Sequence, residues 1–420
     1  MSNYNDKLRF AMTPSGYKAG TLYSQFPNVS ASDFDVVRIS NATRVNKDGL
    51  VELLGTNIPR LDYSDGGCPK LLTEASSTNI SPYSQDFSQW GKNQNPIITY
   101  GKLSPSGDNT AIQIDSTSAS EGVTNVMSFN TSTTYVASIF VKANTDKSII
   151  KFGIGSSIFV GRVALTIPFD INKKIFGTPT SAVLDYGYED YPNDWVRVWV
   201  KGTTDSSNAS SGAFVVYGNS FDNWSWLQWG VQVESSNLSS YIPTTTSVVT
   251  RQADQVSNAG DSSTFNSQSG VLLIDSKAIS DVACLSLHDG TDVNRVSILQ
   301  YVDISRFRFL IDNNGVNQLD FSTDDFEVGL DFKIAVLYST NNTSFFINGL
   351  EVATFNYGVM PSQGTFNQIS LNLGSAGFFD FYGKTKSIQH YDYLSDAEME
   401  QLTGYDSYSA MTSQFNFNVL

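Results

Sequence analysis

The chain reads as all-β: β-sandwich domains in tandem, with an N-terminal extended segment and one short C-terminal helix. Three observations predict this. Short runs of Val, Ile, Phe and Tyr recur between clusters of Ser, Thr, Asn and Gly, which is the punctuation of strands and turns. Several runs alternate apolar and polar residues with a period of two, so successive side chains fall on opposite faces of a strand. At 420 residues the chain exceeds one typical core, so more than one domain is expected.

Composition bounds the partners. Charged residues make up only 16% of the chain, aromatic residues 13%, and the formal net charge is −15. Such a balance repels phosphate backbones and anionic lipid, so neither nucleic acid nor membrane insertion is expected. No apolar run approaches the roughly 20 residues that span a bilayer. The first residues show no apolar signal region, so no signal peptide is expected. Cys68 and Cys284 lie far apart without CxxC spacing. That predicts two free thiols made in a reducing compartment, and neither a disulfide framework nor a Cys-based zinc site.

Residues 1–75 are read as an arm and docking segment. Pro14, Gly16, Gly20 and Pro27 punctuate its first part. Phe10, Tyr17, Leu22, Tyr23 and Phe26 supply apolar anchors, which suits a segment that orders against a partner; a disordered tail is the other reading. Residues 34–40 and 43–45 are strand material, Asn46-Lys47-Asp48-Gly49 is a turn, and 50–54 is the return strand of a hairpin.

Residues 76–255 are expected to form the first sandwich. Stretches 134–143, 149–154, 162–169 and 195–201 alternate, and 213–217 is another short strand. In 224–234, Leu227, Trp229, Val231 and Val233 fall on one face, and Trp224, Trp226, Gln228, Gln232 and Glu234 on the other. The 195–201 strand sets Val196, Val198 and Val200 against Trp195, Arg197, Trp199 and Lys201. Two strands thus pair an aliphatic face with one that mixes indoles and hydrogen-bonding groups. If the sheets join those faces, Trp195, Arg197, Trp199, Trp226, Gln228 and Gln232 line one concave surface. An indole gives a pyranose ring a flat apolar platform, and polar neighbours fix its hydroxyls. The alternative is that these tryptophans pack beneath loops, against the next domain or at a subunit contact.

The ordered segments carry a resemblance. Pro59-Arg60-Leu61-Asp62-Tyr63, Cys68-Pro69-Lys70-Leu71-Leu72-Thr73-Glu74, Thr78-Asn79-Ile80 and Asp86-Phe87-Ser88-Gln89-Trp90 come first. Trp195-Val196-Arg197, Gln232-Val233-Glu234, Ser240-Tyr241-Ile242-Pro243-Thr244 and Thr250-Arg251-Gln252-Ala253-Asp254 follow. Motifs in this order, over about half the chain, resemble a module of tail-fibre, head-fibre and spike proteins of tailed bacteriophages. The resemblance implies a sandwich similar to carbohydrate-binding modules, without itself establishing a sugar ligand.

Residues 256–269 read as a linker rich in Ser, Asn, Gly and Gln, and 270–405 as the second sandwich. Asn348-Gly349, between two apolar runs, predicts a type I′ hairpin. Ser395-Asp396-Ala397-Glu398 is a capping box that opens one helix, with Gly404 suited to its end. The Phe-Phe-Ile-Asn-Gly hairpin, the Leu-Asn-Leu-Gly strand, a Phe-Tyr-Gly segment and this helix resemble a laminin-G-like, concanavalin-type domain over about residues 270–404. That resemblance implies a jelly roll of the kind used to bind glycans or proteins. Residues 406–420 are read as a tail whose alternating 414–420 makes a final strand or pairs with a neighbouring subunit.

Catalytic signals are sparse. His288 and His390 are the only histidines, and neither lies near a Ser or Cys nucleophile motif. The Glu-x-Asp-x-x-Glu pattern of concanavalin-type glycoside hydrolases is missing. Asp185, Glu189, Asp190 and Asp194 are read as a solvated acidic loop among Tyr186, Tyr188 and Tyr191. Asp289-Gly290-Thr291-Asp292 and Asp312-Asn313-Asn314-Gly315 hold oxygen ligands that suit calcium, although both are ordinary turn sequences. No cofactor and no catalytic residue is therefore expected. The expectation is a phage virion-surface protein, made in the host cytoplasm, acting in non-enzymatic multivalent attachment to glycans. Capsid or tail proteins would hold its N-terminal segment, and a homotrimer would multiply weak sites. The alternatives are a structural head-fibre or decoration protein without ligand, and a polysaccharide depolymerase.

Overall fold

The computed structural model describes residues 6–207, 211–219, 223–279, 282–323, 326, 330–374 and 379–404. Within them the chain is antiparallel β throughout, with a single α-helix, Asp396–Thr403. It divides into two compact units. One comprises residues 1–39, 55–75 and 253–420, the other residues 40–54 and 76–252.

The 76–252 unit is a sandwich of two six-stranded sheets. One runs Gly91–Asn93, Gly122–Ser128, Ser211–Gly218, Ile149–Phe159, Val163–Asp170, Ile175–Phe176 in spatial order. The other runs Ile97–Lys102, Ala111–Ser116, Trp224–Ser235, Thr134–Ala143, Trp195–Thr203, Asp185–Tyr191. The core lies between them. Phe152, Ile154, Leu165, Phe214 and Val216 come from the first sheet, and Ile114, Ile139, Val196, Val198, Val200 and Val233 from the second. Period-two alternation in 195–201 therefore reports the fold faithfully. Asp185–Tyr191, expected as a loop, is instead the edge strand beside Trp195–Thr203. Its sequence lacks an apolar signal because an edge strand leaves much of its surface in water.

The hairpin Ala42–Val45 and Val51–Leu54 belongs to this unit, not to an arm. It lies on the outer face of the second sheet, where Val51 joins Ala111, Phe140, Trp195, Trp229 and Tyr241 in a smaller core. This sheet is thus apolar on both faces.

The other unit holds an eight-stranded sheet and a five-stranded sheet around a core that includes Leu272, Ile274, Phe309, Ile334, Val336 and Phe345. The segment expected as an extended arm is woven into it. Leu8–Met12 pairs with Gly383–Tyr391, Lys70–Thr73 pairs with the same strand further along, and Phe10, Met12, Leu22, Phe34, Leu61 and Leu71 are core residues. The 256–269 stretch is not a free linker either. Gln255–Ser257 pairs with Phe34–Val37, and Phe265 is buried beside Phe10. These segments carry too few apolar residues in a row to announce a strand, yet each adds one or two side chains to a shared core.

The predicted hairpin at Asn348-Gly349 forms, with both residues at positive φ. Ser395 and Glu398 make the reciprocal capping box, and Met399 packs into an apolar cluster with Val271, Leu337 and Leu394. The final strand expected at 414–420 lies outside the described residues.

Candidate functional site

The Trp224–Ser235 strand does not keep one alternation from end to end. Opposite it, Ser138 faces Gln232 but Phe140 faces Trp229, so one extra residue is accommodated between them. Gly230, at φ 61°, sits in this bulge. Before it, Trp224 and Trp226 point into the sandwich core; after it, Val231 and Val233 do. Trp229 and Leu227 turn to the outer face. The face assignment made from the sequence holds for each half of the strand but not across the bulge.

The candidate glycan-binding residues are consequently not on one surface. Trp226 and Gln228 are fully buried, and the Trp226 indole N–H donates to Gln228 Oε1 at 2.9 Å. Trp195 is buried on the outer side among Phe140, Trp229 and Tyr241. Arg197 is also buried there, donating to the Ser239 carbonyl at 2.7 Å and to Ser138 Oγ at 3.1 Å. Gln232 donates to Glu234 Oε1 at 2.7 Å and accepts from the Ile242 N–H at 2.6 Å. Arg197 and Gln232 do converge, on the 239–242 segment. Trp199 alone remains half-buried, its indole filling the space over Gly187, where an added Cβ would come within 2.7 Å. Indoles and amides in this pattern build a covered sheet as readily as an open one, and here a hairpin and a loop cover it.

The motif residues explain the cover. Asn79 donates to the carbonyls of Val231 and Ile242 and accepts from the Val233 N–H. Glu234 accepts from Ser77 Oγ and from the Ser239 backbone and side chain. These bonds strap the Ser-Tyr-Ile-Pro-Thr segment across the sheet. In the other unit, Arg60 lies fully buried between Glu74 and Asp254, and Arg38 reaches Asp254 at 2.9 Å. The charged motif residues are therefore internal ties in each unit.

A concave feature of the unit that holds 76–252 is a cleft of about 350 Å³ beside the hairpin. Its floor is formed by Trp229, Tyr241 and Val51. Leu50, Leu53 and Pro243 make apolar walls, and Thr43, Asn46, Glu52, Gln85, Ser106 and Asp108 add polar groups. The floor is fixed. Trp229 Nε1 donates to Thr110 Oγ1 at 2.8 Å, the Tyr241 hydroxyl pairs with Ser84 Oγ at 2.6 Å, and Thr43 Oγ1 donates to the Tyr241 carbonyl at 2.5 Å. Burial raises the Tyr241 phenol well above its usual range, so it stays neutral. Partial burial disfavours the charge on Asp108, but hydrogen bonds from Ser104 and Thr110 outweigh it and hold the carboxyl below its ordinary value. Glu52 is paired with Arg44 at 2.9 Å. An apolar floor with acceptors at its rim suits a hydroxylated ring.

Sequence reasoning missed this cleft. Its lining comes from residues 43–53, 85, 106–108, 229 and 241–243, and no local spacing joins them. The strand and the Ser-Tyr-Ile-Pro-Thr motif that supply its floor were singled out; the hairpin that walls it was assigned elsewhere.

The other chemical candidates resolve as structure. Burial drives His288 down to about 4 and His390 down to about 3, so both are neutral. His390 packs against Phe265 and pairs with the Tyr338 hydroxyl at 2.8 Å. Asp289 closes a turn by accepting from Thr291 and Asn294, and Asp312 pairs with Arg295 at 2.7 Å. Among the described residues no group of three or more His, Cys, Asp or Glu side chains is placed to hold a metal ion.

No protein-family model matches the chain, and no curated protein sequence matches it. Solved structures give weak likenesses. The sialidase module CBM40 of Ruminococcus gnavus, bound to α2,6-sialyllactose, is 17% identical with a TM-score of 0.28, covering 33% of this chain and 84% of that one. Domain 4 of the arabinanase AbnA of Geobacillus stearothermophilus, in complex with arabinotriose, is 12% identical with a TM-score of 0.25, covering 40% of this chain and 82% of that one. Mouse laminin α1 domains LG4-5 are 10% identical with a TM-score of 0.25, covering 76% and 93%. Likenesses of this degree identify neither a ligand nor a residue here.

Proposed function

We propose that this chain is a bacteriophage virion-surface fibre or decoration protein that attaches the particle to glycans on the host or its surroundings, without catalysis. The observation that carries the glycan half of the reading is the cleft on the 76–252 unit, with its Trp229 and Tyr241 floor and polar rim. The virion half rests on the ordered motifs, whose polar members form ties inside each unit. A site this open supports weak single contacts, and several copies on one particle, most simply a homotrimer, make them effective. Val29, Val37 and Ile39 stay exposed on the N-terminal segment and suit docking to capsid or tail proteins.

The test is a glycan array probed with the full-length protein and with Ser106→Trp, which plugs the cleft. Binding by the wild type that the plugged variant loses supports the reading; binding that survives the plug overturns the cleft assignment. Silence across the array favours the second reading, a structural head-fibre or decoration protein without ligand. The observation on that side is the burial of Trp195, Arg197, Trp226, Gln228 and Gln232 within the chain. Release of reducing sugar from polysaccharide would instead establish a depolymerase.

A further inference from the structure

We infer that the cleft takes uncharged glycans and excludes sugars that carry carboxylate, sulfate or phosphate. This rests on the glycan reading above and narrows it to a ligand class.

The argument is one of charge and hydrogen-bond polarity. Two carboxylates, Glu52 and Asp108, line the cleft, and its lining contains no Lys, Arg or His. Arg44 stands on the same hairpin, but its guanidinium is committed to Glu52 at 2.9 Å and its side chain is 11% exposed. Asp108 Oδ1 accepts from Ser104 Oγ at 2.6 Å and from Thr110 Oγ1 at 2.5 Å, which fixes an ionised, acceptor-only group at the rim. Such a rim matches hydroxyl donors. An anionic sugar would bring a third negative charge against a lining that, among the described residues, holds no cation, losing solvation without a counter-charge. The net charge of −15 adds repulsion at longer range. The exposed Leu53 and the half-buried Pro243 leave apolar surface for the C–H face of a pyranose, which needs no charge on the ligand.

The experiment titrates the full chain, at low salt, with lactose and maltotriose as neutral probes and 3′-sialyllactose and digalacturonate as acidic ones, followed by ligand-observed NMR. The same titrations are run on Ser106→Trp and on Glu52→Gln. The expected result is that the neutral probes bind, the acidic probes bind at least about tenfold more weakly, and the plugged variant binds none, the size reflecting one like-charge contact at a partly solvated surface. Glu52→Gln removes one carboxylate, so it should narrow the gap. Leu53→Ser, at the exposed rim, serves as a second cleft variant should Ser106→Trp unfold. Sialyllactose binding as tightly as lactose, and lost in the cleft variants, overturns the charge selectivity while leaving the glycan site standing. Failure of neutral and acidic probes alike, on a multivalent array as well as in solution, overturns both.

Discussion

His390 shows how one side chain can tie stability to pH. Burial holds its folded-state value near 3, against an ordinary value of 6.5, and His288 follows at about 4. Between those values the unfolded chain binds protons that the folded chain refuses. The contribution is therefore complete above about pH 6.5 and is lost as the pH falls through about 4 for His288 and about 3 for His390. Urea unfolding midpoints should begin to decline just below pH 6.5, well above the ordinary 3.8 of carboxylates such as Asp261 and Asp320. His390→Gln should flatten the decline, whereas a flat wild-type profile would refute the assignment. The sequence offered little of this: two histidines with no neighbouring nucleophile could be excluded as a triad but not placed in a core. Trp226 carries the opposite lesson. Its residue type and its amide neighbours were legible as unusual, but whether an indole faces water or a second layer depends on what covers the sheet, and the cover comes from a distant part of the chain.

Among elements, the Trp224–Ser235 strand depends on its bulge. The sequence supplied its length, its alternation and the glycine, but a bulge leaves no mark on periodicity except a change of phase, and Trp, Leu and Val are apolar on either face. Gly230 is needed for two reasons. Its φ of 61° disfavours any side chain, and a Cβ there would lie 3.0 Å from the Phe140 ring and 3.3 Å from Tyr241. Gly230→Ala should therefore cost about 1–3 kcal/mol, the sum of a left-handed backbone and local overpacking. Gly161 is a suitable control, since it also has positive φ but meets nothing within 4 Å. Its alanine variant should lose only the backbone share, about 1 kcal/mol. Thermal unfolding of the two variants side by side gives the comparison, and equal losses would deny that Gly230 is packed as described. The cap at Ser395 and the turn at Asn348-Gly349 were readable for the converse reason: their physics is complete within four residues.

At the scale of the whole molecule, the number of sandwiches was legible and their composition was not. Hydrophobic runs locate strands, but nothing in a run states which sheet it joins. Residues 76–252 take their outer core from Val51 and the 42–54 hairpin, and residues 270–405 take Phe10, Met12, Leu22, Phe34, Leu61 and Leu71 from the first 75 residues. Fragments cut at the apparent boundaries, 76–255 and 270–405, should therefore be poorly soluble or molten. A 270–405 fragment lacks a wall of its core, and a loss of several large side chains at about 2–5 kcal/mol each exceeds the stability of a typical domain. Circular dichroism and gradient gels of the two fragments, beside the full chain, check this; a cooperatively folding 270–405 fragment would contradict it.

The pairing of Leu8–Met12 with Gly383–Tyr391 has a mechanical consequence. Leu8 stands opposite Tyr391 and Met12 opposite Ile388, so tension applied at residues 8 and 391 enters the ladder at one end and parts its hydrogen bonds one after another. A ladder loaded in this way yields at low force, while one pulled along its strands must break all its bonds together. Residues 76–252 lie off that first load path, because the ladder closes the chain outside them. A pull of that kind would be absorbed by a short, re-formable clasp before it reached the sheet that carries the cleft.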